Sequence, residues 1–64
     1  MAANYRLKAA RVLQGLTQLQ LAERLGIKEI DMSRLETGRA QPTTQLKARI
    51  ADLLRKPTFE LFEG

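Results

Sequence analysis

Apolar residues recur along this chain at spacings of three and four, and no stretch alternates apolar with polar positions for long. That spacing gathers side chains on one face of a helix, whereas alternation would mark a strand. Leu7, Ala10, Val12, Leu13, Leu46, Ile50, Leu53 and Leu54 read as plain core on this basis. Gly15, Gly26 and Gly38 each stand just past a periodic segment, as C-terminal stops do, and Pro42 and Pro57 mark two further breaks. The pattern predicts five helices, over residues 3–14, 18–25, 29–37, 44–55 and 58–63. No repeat or flexible linker separates them, so residues 1–64 are expected to pack as one all-α domain.

The second segment carries the most local detail. Thr17 is placed to cap it, and Gln20 three positions later completes a capping box. Leu16 before the cap and Leu21 after it have the spacing of a hydrophobic staple. Gly26 closes the segment and a third helix begins almost at once, which is the helix-turn-helix arrangement. In it Ala22 must be small where the helices cross, and Ile27, Met32 and Leu35 fix the crossing. Glu29, Ile30, Ser33, Arg34 and Thr37 fall on the opposite, outward face. A mixed polar face of this kind suits a helix that reads base edges in a major groove.

Composition narrows the chemistry. The chain has no cysteine and no histidine, so disulfides, the usual zinc sites and histidine-based acid–base or nucleophilic catalysis are excluded. No enzyme, metal or cofactor is expected. No apolar run approaches the length of a membrane span. Eleven Lys and Arg against seven Asp and Glu give a formal charge of +4, which favours an anionic partner. Residues 1–28 carry five positive charges and one negative, so basic surface draws heavily on the first half.

The run Thr17-Gln18-Leu19-Gln20-Leu21-Ala22-Glu23-Arg24-Leu25-Gly26-Ile27, followed by Met32-Ser33-Arg34-Leu35-Glu36-Thr37-Gly38-Arg39-Ala40-Gln41-Pro42, resembles the Cro/repressor-type (XRE-like) helix-turn-helix family. The likeness extends from about Arg6 to Phe62. It implies a lambda-repressor-like domain of five helices, with helix two at the DNA backbone and helix three in the major groove. By the same resemblance Lys28, Glu29, Ile30, Ser33 and Arg34 match positions that approach base edges. Gln18 and Arg39 match phosphate-contacting positions, and Arg11, with the other basic residues of helix one, is expected to help neutralise the backbone. Arg11 and Glu36 also match a pair that forms an internal salt bridge.

Three departures from the family pattern bear on packing. Lys28 stands where Ser or Thr usually caps helix three, while Glu29 and Asp31 in the first turn favour the helix dipole. Lys47 and Lys56 occupy positions that are usually apolar. Phe59 stands where the family is usually polar, which makes it the candidate contact for a second copy.

The expected function is sequence-specific binding of double-stranded DNA by a bacterial or phage transcriptional regulator, a repressor before an activator. One small domain covers few base pairs, so a cytoplasmic homodimer is expected, forming on the operator. Sixty-four residues leave no room for an inducer-binding domain, so no small-molecule effector is expected. Two alternatives stand beside this reading: an antitoxin that represses its own operon while holding a toxin, and an interaction module that has lost DNA binding.

Overall fold

A computed structural model describes residues 3–62. Five helices follow in order: α1 (Tyr5–Leu13), α2 (Gln18–Leu25), α3 (Glu29–Thr37), α4 (Thr44–Leu54) and α5 (Thr58–Phe62). No strand occurs among the described residues. The expected extension of the last helix to Glu63 lies outside them.

Local chemistry sets most of the boundaries. Thr17 accepts from the Gln20 backbone at 3.0 Å while the Gln20 side chain accepts from the Thr17 backbone at 2.9 Å, so the capping box is complete. Gly26 ends α2 with φ 72°, a left-handed backbone that costs a residue with Cβ about 1–2 kcal/mol. Thr43 caps α4 by accepting from Leu46 N at 3.1 Å. That helix ends less comfortably, because Arg55 takes the left-handed position with φ 57° and is the only described residue other than glycine with positive φ.

Leu7, Leu21, Leu25, Met32, Ile50 and Leu54 are fully buried, drawing the core from the first four helices, and Leu61 adds the fifth. Leu46 and Leu53 are partly buried against this core, as is Ile27. Val12 and Leu13 correct the expected core: they are 57% and 75% exposed. The buried face of α1 is Leu7, Ala10 and Arg11. A helix turns about 100° per residue, so the two positions after Arg11 rotate away from the core. An arginine therefore holds the inward position that the apolar pattern alone gave to its neighbours.

The lysines at unusual positions are accommodated at the surface. Lys47 is half-buried with its ammonium 5.9 Å from the Phe62 ring centroid, a cation–π arrangement. Lys56 reaches Glu60 at 3.9 Å, an exposed pair that contributes little stability.

Candidate nucleic-acid interface

Helices α2 and α3 make the most extensive helix–helix contact in the domain, joined by the three residues Gly26, Ile27 and Lys28. The Ile27 backbone donates to the Ala22 carbonyl at 3.0 Å, folding the chain back over the end of α2. Ala22 is fully buried, as a close crossing requires. Met32, Leu35 and Glu36 form the inward face of α3, so the helix is fixed along one side and presents the other to solvent.

On that outer side Ile30, Ser33, Arg34, Thr37 and Arg39 line one shallow concavity. Arg39 lies beyond the helix and joins the group through the way α3 ends. Gly38 has φ 78°, and the backbone N–H groups of Arg39 and Ala40 both donate to the Arg34 carbonyl, at 2.9 and 3.2 Å. The turn brings the two arginine positions together, and both residues are exposed. Two guanidinium groups and the Ser33 hydroxyl in one concavity offer donors to base edges and phosphates. Lys28 and Glu29 are exposed at the opposite end of α3 and do not line it. Lys28 makes no side-chain cap, so the favourable charges at this N-terminus come from Glu29 and Asp31.

Beneath this surface lies a buried polar cluster. The Arg11 Nε donates to Glu36 Oε2 at 2.6 Å and its Nη2 donates to Oε1 at 3.2 Å, with side chains 10% and 3% exposed. The third nitrogen, Nη1, donates to the Leu16 carbonyl at 2.7 Å. All three nitrogens are engaged inside the protein, so Arg11 is withdrawn from the phosphate-contacting set. Its charge is paired with that of Glu36, so the two together add no net charge.

Gln18 occupies the first turn of α2 and is half-buried. Its Nε2 donates to Glu36 Oε1 at 3.0 Å. A primary amide carries two protons, so one is committed to Glu36 and one remains for a partner outside. Glu36 thus joins α1, α2 and α3. Asn4, which the sequence reading did not single out, supplies a second junction. Its Oδ1 caps α1 through Leu7 N at 3.0 Å, and its Nδ2 donates to the Leu61 carbonyl at 2.8 Å. Its backbone N–H donates to the Glu36 carbonyl at 2.8 Å. Phe59 stands apart from all of this on α5, 69% exposed.

The comparison with protein families agrees with the geometry. A family model described as a helix-turn-helix domain matches residues 5–60. The chain belongs to this helix-turn-helix domain family. The match covers all of α1 to α4 and most of α5, and it accords with the resemblance to Cro/repressor-type regulators. Membership supports DNA binding as the activity of this helix-turn-helix domain, with transcription regulation as the process it serves. No match is found among curated proteins. Among the described residues no helix is long and apolar enough to cross a membrane.

Proposed function

We propose that this helix-turn-helix protein binds double-stranded DNA in a sequence-specific way and represses transcription from the site it occupies. The observation that carries the reading is the concavity on the free face of α3, which Arg34 and Arg39 line together with Ser33 and Thr37. Arg34, on the helix, would enter the major groove and donate to a guanine edge. Arg39, in the loop beyond, would meet a phosphate, as would the free amide proton of Gln18. Lys28, Glu29, Ile30 and Ser33 complete the candidate base-contacting set. Occupation of an operator by so small a domain acts most simply by obstruction, which favours repression over activation.

Two copies are needed to cover a useful operator, with their third helices about 34 Å apart along the duplex. The exposed Phe59 on α5 lies outside the α2–α3 pair and is the surface we assign to that contact. The protein would work in the cytoplasm without cofactor or small-molecule effector. Selection of sites from random duplex by the purified chain tests the reading. It should return two-fold-related half-sites one helical turn apart. Arg34→Ala should relax one or two base positions at a cost of about 1–3 kcal/mol on the selected site. Recovery of unrelated sequences would contradict specific binding.

A further inference from the structure

We infer that Ile30 is a specificity-determining residue that reads the C5-methyl group of a thymine close to the base read by Arg34. The inference rests on the DNA-binding reading and deepens it by naming one feature of the operator. Ile30 is 55% exposed, and it belongs neither to the buried core nor to the apolar residues packed against that core. Packing does not account for it. Local structure does not either, since isoleucine is a poorer helix former than the alanine, glutamate or lysine that an exposed position usually takes.

Ile30 does share the concavity of α3 with Ser33, Arg34, Thr37 and Arg39. The Thr37 hydroxyl donates to the Ser33 carbonyl at 3.0 Å, so its proton is spent inside the helix and Thr37 brings no donor to the groove. The concavity therefore combines an aliphatic side chain at one position with guanidinium donors at others. The edges of base pairs in a major groove offer one apolar group to such a side chain, the thymine methyl. Ile30 and Arg34 are one helical turn apart, with Cβ atoms about 5–6 Å from each other. Bases rise about 3.4 Å per step, which puts the thymine within about two base pairs of the guanine.

The test replaces thymine by deoxyuridine, which removes the methyl group and nothing else. A duplex selected by the full chain is rebuilt with each thymine replaced singly. Binding is then measured for the wild type, Ile30→Ala and Ile30→Val, with helical content checked by circular dichroism. One thymine in each half-site should be sensitive: its replacement should weaken wild-type binding about fourfold, the worth of one buried methyl group. At that position Ile30→Ala should bind thymine and deoxyuridine duplexes equally, and Ile30→Val should retain part of the difference. Wild-type indifference to every replacement would overturn the assignment, as would unchanged sensitivity in Ile30→Ala. Binding with these outcomes would leave the DNA-binding reading standing, whereas failure of the wild type to bind any duplex would remove both.

Discussion

Arg11 and Glu36, separated by 25 positions in the chain, form a buried two-point ion pair that locks the first helix to the third. Removing one partner leaves the other charge in the interior, at a cost of about 3–5 kcal/mol. Glu36→Ala and Arg11→Ala should each destabilise the fold by that order in a urea melt. Glu29→Ala, at an exposed position in the first turn of α3, should cost no more than about 1 kcal/mol. Equal small effects at all three positions would show that the pair does not hold the helices.

Asn4 should behave as a tie as well as a cap. Asn4→Ala removes the cap of α1 and the bond to the Leu61 carbonyl together, for an expected loss of about 1–3 kcal/mol. Asn4→Ser restores a capping oxygen but is too short to reach Leu61, so it should recover only part of the loss. Full recovery by serine in the same denaturant melt would mean that the contact with α5 contributes nothing.

Much of this molecule is written in short-range grammar, and that part was legible. Gly26 and Gly38 stop their helices through their own backbone freedom, and Thr17 with Gln20 builds a cap within four residues. The inward and outward faces of α3 follow from its period, which put Ile30, Ser33, Arg34 and Thr37 on one side. What depends on distant partners was less legible. Apolarity favoured Val12 and Leu13 as core, yet the position between Ala10 and Val12 is the inward one, because Glu36 from another helix makes a buried arginine tolerable there. The same pairing removes Arg11 from the DNA contacts suggested by its charge. Asn4 was not singled out, since the Leu61 carbonyl it bonds lies 57 positions away. Arg39 enters the α3 concavity through a turn after Gly38, and only the family resemblance pointed to its use.

Lys28 sets stability against recognition. It caps α3 with its backbone alone, and no side chain bonds to the first turn. Lys28→Ser should add about 1 kcal/mol of stability by supplying that acceptor. The same change should weaken duplex binding, because it deletes a cation at the N-terminal end of α3. A melt and a binding titration on one variant check both, and unchanged stability would show that water already satisfies those N–H groups.

Phe59 should matter for two copies and not for one. Its side chain is largely exposed, so Phe59→Asp should leave the unfolding midpoint nearly unchanged. On a duplex with two half-sites the variant should lose cooperative occupancy while each half-site is still bound singly. Cooperative filling by Phe59→Asp would move the contact between copies to another surface.

Binding to duplex DNA as a function of salt is the most direct measurement. Each phosphate neutralised by the protein contributes about −0.9 to the slope of log affinity against log salt concentration. With Arg39 and the other exposed basic residues engaged, the wild type should bind its selected duplex with a slope of about −3 or steeper. Arg39→Ala should weaken selected and unrelated duplexes alike and make the slope shallower by about one unit. No binding at low salt, or a slope near zero, would contradict the assignment of the α2–α3 face to DNA.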